Sequence, residues 1–345
     1  MAGSKKKQVV SSTDSRSTKP LAVTSSSAVA VRLRGSLPSA PASARGVAAL
    51  TENPGCERRR VIDAASVPSY VLAERVGFPS SRGQSPFAIA SGNSFEERLK
   101  KRSGYSLLVE ALAPFVDISL DNLRVEDLGD VGRISDAEKW KQARVLRTNE
   151  VLTRIASGEP GAPQIVDHPM LTLDLVGSRV YLEPDALAYR SGGQLELVEV
   201  KSFPIIDRQA DPAKVAAMAG QSAVYVLALR ETLGSLGFDP DMVKWSVILV
   251  APRNFGRVPT AHRIPLKKKA QSIRRVLSNV SPVDELLQAL PASFTLDADP
   301  QGNQRPDSVA RKTALALETI PARYVPSCLS SCDMAGFCRD EASGG

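Results

Sequence analysis

The rhythm of hydrophobic and polar positions changes as the chain is followed from its amino end. Between 91 and 114 the apolar residues Phe95, Leu99, Leu107, Leu108 and Leu112 fall at helical intervals. They predict one or two helices opened by Ser91 or Asn93 and ended by Pro114. A second helical stretch covers 135–157, where Ser135 precedes Glu138 by three residues in the manner of a capping box and Gly158 and Pro160 close it. From 164 to 202 the period drops to two and β-branched residues accumulate, which predicts three antiparallel strands near 164–173, 178–188 and 195–202, with a turn SGGQ at 191–194. Helix returns over 211–233, with Asp211 as cap, Pro212 in the first turn and Gly234 past the end. The compact apolar run 244–252 reads as a central strand and 262–266 as a short edge strand. A basic helix from 267, another helix from 283 and a last one over 308–319 complete the pattern.

Helical segments around a strand-rich middle imply an α/β fold with a mixed central sheet flanked by helices. Order is expected from 46, with a helical part at 46–160, a core at 161–280 and a helical, cysteine-bearing part at 281–345. Within the first part a loop and short helix carry Cys56, and 66–90 reads as irregular, punctuated by Pro68, Pro79 and Pro86. Residues 1–45 are Ser-rich and basic, with Asp14 the sole acid, and read as a disordered tail; an organellar transit peptide is the alternative.

Composition adds a bias. Hydrophobic residues make up 43% of the chain, enough for a sizeable core, and 44 basic against 37 acidic residues give a net charge of +7. A basic chain favours a polyanionic partner such as nucleic acid. Lys267, Lys268, Lys269, Arg274 and Arg275, with Arg58, Arg59 and Arg60, are candidates to line a path for a DNA backbone; a solvated charged face is the alternative. With no apolar run of membrane-spanning length and no signal-like apolar region, no membrane association is expected and the location is read as cytoplasmic.

The chemistry concentrates between 181 and 225. With strand period two, Glu199 and Lys201 share a face while Val198 and Val200 point the other way, and Tyr181, Glu183 and Asp185 share a face on the partner strand. A turn centred at 192 sets Asp185 across from Glu199; a slip of one residue would put it on the wrong side. Two carboxylates and an ammonium so placed suit a hard divalent cation and the handling of an attacking water. Gln221 and Tyr225, four apart on the following helix, project from one face toward them. The two histidines, His168 and His262, read as non-catalytic, His168 at the end of the first strand being the more interesting.

In order, Pro184-Asp185, Glu199-Val200-Lys201 and Gln221-x-x-x-Tyr225 resemble the motifs of the RecB-like branch of the PD-(D/E)xK nucleases. The resemblance implies a restriction-endonuclease-like core. It also implies that Asp185, Glu199 and the main-chain carbonyl of Val200 bind Mg2+ or Mn2+, and that Lys201 activates water. Gln221 and Tyr225 would then position the lysine or a phosphate. In the upstream Gly-x-x-x-His pattern of the family this chain has Gly92-x-x-x-Glu96, which makes Glu96 the candidate for the remaining metal ligand. Glu97 is its neighbour, and a plain helix-dipole role is the alternative.

Cys328, Cys332 and Cys338 form C-x3-C-x5-C, and Cys56 lies far upstream. By residue type alone the four could make disulfides, a zinc site or an iron–sulfur cluster; the lack of an export signal argues against disulfides. One cysteine before the nuclease motifs and three after them resembles the iron–sulfur members of the RecB-like nucleases, the AddB-type subunit and the CRISPR-associated exonuclease. That likeness implies a [4Fe–4S] cluster on Cys56, Cys328, Cys332 and Cys338 that joins the amino- and carboxyl-terminal segments, although C-x3-C stands where C-x2-C is usual. The implied activity is that of a DNA nuclease acting on single strands or ends, in repair, recombination or anti-phage defence. A non-catalytic DNA-binding or adaptor subunit of the same fold is the rival. No P-loop is present, so a helicase or integrase partner would be a separate chain.

Overall fold

A computed structural model describes residues 24–344 apart from positions 41, 81–85, 132–133, 176–177, 191, 255, 257 and 280–282. The strands are β1 (Val125–Asp127), β2 (Ile165–Asp167), β3 (Leu171–Leu175), β4 (Ser178–Leu182), β5 (Ala186–Arg190), β6 (Gln194–Val200), β7 (Val243–Pro252) and β8 (Pro259–Pro265). Six of them form one mixed sheet in the order β1-β2-β5-β6-β7-β8, and β3 pairs with β4 in a separate ribbon. Within the sheet β1–β2 and β6–β7 are parallel and the other pairs antiparallel.

Two of the three expected strands are each broken in two. The first divides into β2 and β3 at His168, whose backbone is left-handed (φ 50°), followed by Pro169. The second divides into β4 and β5 at Glu183–Asp185, where Pro184 has no N–H to give a ladder. Between these breaks the chain leaves the sheet and returns, so the ribbon is the detached outer half of one long bent hairpin. The three-residue β1 is too short to show a period and was not expected.

The helices are α1 (Thr24–Arg34), α2 (Ala44–Glu52), α3 (Glu57–Ala64), α4 (Ser69–Arg75), α5 (Pro86–Leu99), α6 (Ser106–Leu112), α7 (Ala137–Ala156), α8 (Pro212–Ser235), α9 (Lys267–Asn279), α10 (Asp284–Ala289), α11 (Pro306–Glu318), α12 (Cys328–Ser331) and α13 (Ala335–Ala342). On one face of the sheet α8 packs Val224, Ala228 and Leu229 over Leu187, Leu195, Leu197, Val247 and Leu249. On the other, Phe95, Leu99, Leu108 and Leu112 of α5 and α6 cover Ile165, Ala186, Ala188, Val198, Val200 and Ile248. Covering on both faces explains why β7 reads as a nearly continuous apolar run.

A third core joins the two ends of the chain, with Leu33, Ile62 and Leu72 from α1, α3 and α4 against Leu296, Leu317 and Phe337. The disordered tail expected over 1–45 therefore does not extend over 24–45. Residues 1–23 lie outside the described residues, but α1 is a helix whose Leu33 is fully buried, and Leu37 is buried after it. Residues 66–90, expected to be irregular, include α4 and the start of α5. Helix α5 begins at Pro86, upstream of both Ser91 and Asn93. The cap of α7 is Asp136 and not Ser135; its carboxylate accepts from the N–H groups of Glu138 and Lys139. Helix α8 starts as expected on Asp211 and Pro212 but runs through Gly234 and stops before Gly237, which takes the left-handed conformation (φ 84°).

Candidate active site

The β5–β6 hairpin turns through Gly192 and Gly193, both at positive φ, and pairs Ala186 with Val198 and Leu187 with Leu197. Carried one step further, that register places Asp185 opposite Glu199. The Val200 N–H donates to Asp185 Oδ2 (2.7 Å), and Lys201 Nζ donates to Asp185 Oδ2 (3.2 Å) and Glu199 Oε2 (2.6 Å). Both carboxylates lie at one end of the sheet, on the α8 side. Tyr181 and Glu183 do not join them. The β3–β4 ribbon carries Tyr181 to Glu138, and Glu183 forms a two-pronged ion pair with Arg144.

Glu199 is fully buried, and its Oε1 has no hydrogen-bond partner. Burial, together with the charge of Asp185, pushes its carboxyl up to about 8 in spite of Lys201. The two carboxylates in turn hold the Lys201 ammonium above its ordinary value, outweighing the opposing effect of its burial. From α8, Gln221 Nε2 donates to the Tyr225 hydroxyl (2.8 Å). Burial and the neighbouring Glu199 charge raise the Tyr225 phenol, which thus stays protonated at neutral pH. Asp185, Glu199, Val200, Lys201, Gln221 and Tyr225 are accordingly gathered in one corner.

Glu96 makes its contacts with Lys100 and His168 beside that corner. It accepts from Lys100 Nζ (2.5 Å) and lies 3.6 Å from His168 Nε2, while Lys100 also donates to the Asp185 carbonyl (2.9 Å). A buried ammonium therefore stands between Glu96 and the backbone that presents Asp185. Burial works against Glu96, but His168 and Lys100 outweigh it and lower its carboxyl to about 2. Glu97 pairs with Arg102 at the surface.

Around Lys100 lies a group that the sequence did not reveal. Asp127 ends β1, Asp167 ends β2, and their parallel pairing brings both to the end of the sheet that also carries Asp185 and Glu199. With His168 they offer two carboxylate oxygens and an imidazole nitrogen within 4.8 Å of one another, a set able to hold a metal. Tyr105 donates to Asp167 Oδ2 (2.6 Å), and the Gly129 N–H donates to Asp127 Oδ1 (2.9 Å). The strained His168 backbone is held by Arg144, which donates to its carbonyl (2.7 Å), and by its own N–H on the Asp185 carbonyl (3.3 Å). The signal that would have found this group is a pair of acids, each closing a very short strand. His262 lies on the edge strand β8, opposite Leu249.

Cys56, Cys328, Cys332 and Cys338 line one cavity with Asn53, Arg59 and Arg323. Asn53 Nδ2 donates toward Cys328 Sγ (3.4 Å) and Arg58 Nη1 toward Cys338 Sγ (3.2 Å). Burial raises the Cys338 thiol to about 11 against the opposing pull of Arg58.

Arg58 and Arg59 therefore do not form a DNA-facing surface. Arg58 is 1% exposed and spends its other donors on the Leu317 and Ile320 carbonyls and on Glu341. Arg59 is paired with Asp63 and lies beside Cys332. Helix α9 does present Lys267, Lys268, Arg274 and Arg275 to solvent, opposite a buried face of Ala270 and Ile273, while Lys269 is drawn to Glu52.

No family model matches the chain, and no curated protein matches it at a significant level. Solved structures do. A Eubacterium rectale protein described as "Putative exonuclease" shares 12% identity over 77% of this chain and 84% of its own, with a TM-score of 0.31. A protein described as SSO0001 shares 12% identity over 56% of this chain and 97% of its own, with a TM-score of 0.19. Overlaps this loose leave the chemistry to the side chains. Among the described residues no helix is long and apolar enough to cross a membrane.

Proposed function

We propose that the chain is a metal-dependent nuclease that hydrolyses DNA phosphodiester bonds at the corner formed by Asp185, Glu199 and Lys201. The observation that carries this reading is the buried Glu199 Oε1, which lacks a hydrogen-bond partner while Lys201 takes the other oxygen and links it to Asp185. An orphaned buried carboxylate oxygen costs free energy unless a cation takes it. The donor set fits Mg2+ or Mn2+, with Asp185 and Glu199 as the side-chain ligands and the Val200 carbonyl as the main-chain one. Such an ion would supply Lewis acidity toward the phosphodiester.

The chain's own groups do the rest. Lys201 stays charged beside both carboxylates, where it can stabilise negative charge gathering on phosphorus and orient a water. The Tyr225 phenol, fixed by Gln221, keeps its proton and can donate to a phosphate oxygen. The exposed basic face of α9 suits a nucleic-acid backbone and serves in this reading as the non-specific contact. A helicase or integrase, if it acts with this protein, would be a separate partner chain.

The cysteine cavity suits a [4Fe–4S] cluster, since four thiols line it and N–H groups donate toward two of the sulfurs. A cluster held there would supply strong iron–thiolate links between the ends of the chain.

The nuclease reading is tested with labelled single-stranded and duplex oligonucleotides in Mn2+ and Mg2+. Cleavage is expected to fall by at least about 100-fold in Asp185→Asn and Lys201→Ala, and variants that cut as well as the parent would exclude this corner. Anaerobic purification should give a brown protein with a broad violet-blue absorption band. A colourless protein carrying stoichiometric zinc refutes the cluster and leaves the nuclease reading standing.

A further inference from the structure

Three carboxylates meet beneath helix α5 with too little positive charge among them. Asp167 is fully buried, with Asp127 and Glu96 each about 30% exposed, and the buried base among them is Lys100. Lys101 reaches Asp127 Oδ2 (3.3 Å) from an exposed position, where its charge is screened. Three acids thus share one buried ammonium and the His168 imidazole, and the group stays net negative even with that imidazole protonated.

The spacing narrows what fills that deficit. His168 Nδ1 stands 3.3 Å from Asp127 Oδ1 and 3.4 Å from Asp167 Oδ1. An imidazolium donating to a carboxylate closes to ~2.7–2.9 Å. Ligand atoms ~2.0–2.1 Å from one shared ion stand ~3.3–3.4 Å apart at tetrahedral angles. Both separations fit ligands of a common ion, and the first is also within reach of a long hydrogen bond.

Two further observations point to the same spot. Asp167 Oδ1, in a residue with no exposure, meets the Lys100 ammonium (2.6 Å), which also serves Glu96 and the Asp185 carbonyl, and one lone pair of the oxygen is left over. Gly129 leaves open the space that a Cβ would take, 3.1 Å from Asp127 Oδ1 and 3.3 Å from His168 Nδ1. The partial exposure of Asp127 and His168 gives a way in from solvent.

We infer that Asp127, Asp167 and His168 bind a divalent transition cation, of the Mn2+ or Zn2+ class that accepts mixed imidazole and carboxylate ligands. This site is separate from the Asp185–Glu199 corner and does not depend on the nuclease reading. Its effect on that corner is positional. The His168 N–H and Lys100 both hold the Asp185 carbonyl, so an ion fixing His168 steadies the loop that presents Asp185.

The chain has two histidines, His168 and His262, which makes the test direct. Full-length protein stripped of divalent ions and titrated with Mn2+ is examined by electron spin echo modulation for a directly bonded imidazole nitrogen. The signal is expected in the parent, in His262→Gln and in the Asp185→Asn/Glu199→Gln double variant, and is expected to vanish in His168→Gln. Asp127→Asn, nearly isosteric, should weaken binding of this ion by about 10-fold or more with circular dichroism unchanged. No nitrogen signal in the parent, or a signal that survives His168→Gln, overturns the inference. A double variant that loses no Mn2+ while keeping the nitrogen signal counts against the Asp185–Glu199 corner and leaves this site standing.

Discussion

Glu199 shows how a single buried side chain sets a pH dependence. Its carboxyl is raised from an ordinary value of 4.5 to about 8, so between those values the folded protein holds a proton that the unfolded chain has released. Stability of the metal-free protein therefore falls as pH rises from about 5 to about 8, opposite to the trend of a salt-bridged acid. The melting temperature, followed across that range, is expected to drop, and Glu199→Gln should flatten the curve. Saturating Mn2+ should flatten it too, since a cation favours the carboxylate. A parent curve that rises with pH would contradict the dominance of burial over the Lys201 pairing at Glu199. The placement of this residue opposite Asp185 was legible in the sequence because the pairing is local. Two glycines fix the turn, and the alternation of LELVEV fixes the faces.

At the level of elements, legibility followed sequence distance. Helix α8 announced itself through Asp211 and Pro212, and β7 through its unbroken apolar run. Strand β1 and the Asp127–Asp167–His168 group did not, because three-residue strands carry no period and their juxtaposition depends on which strands pair. Helix α1 was hidden by its serines, although Val29, Leu33 and Leu37 recur every four residues. Its docking predicts that Leu33→Ala costs about 3 kcal/mol in denaturant unfolding; a cost near zero would mean that α1 is not part of the third core. Helix α9 predicts a salt effect. Replacing Lys267, Lys268, Arg274 and Arg275 by Gln should weaken binding to single-stranded DNA. The slope of log affinity against log salt should become shallower by ~0.7 for each phosphate that the variant no longer neutralises. An unchanged slope would reduce this face to ordinary solvated charge.

Across the whole molecule the two ends of the chain form a single structure. Asn53 Nδ2 donates to the Arg323 carbonyl, Arg58 pairs with Glu341, and the third core is drawn from both termini. The order of synthesis gives this closure a consequence. Arg58 and Glu341 are separated by 283 positions, and at ~5–20 residues per second the ribosome needs roughly 15–55 s to make that length. For most of that interval Leu33, Ile62 and Leu72 of α1, α3 and α4 lack their partners Leu296, Leu317 and Phe337, while the central sheet can already assemble. These helices are thus made long before their core can close, and a nascent chain leaves part of their apolar faces open to chaperones in the meantime. A chain cut just before Glu341, beyond the last cysteine, loses that carboxylate and so leaves the buried charge of Arg58, made nearly three hundred residues earlier, without its counter-charge.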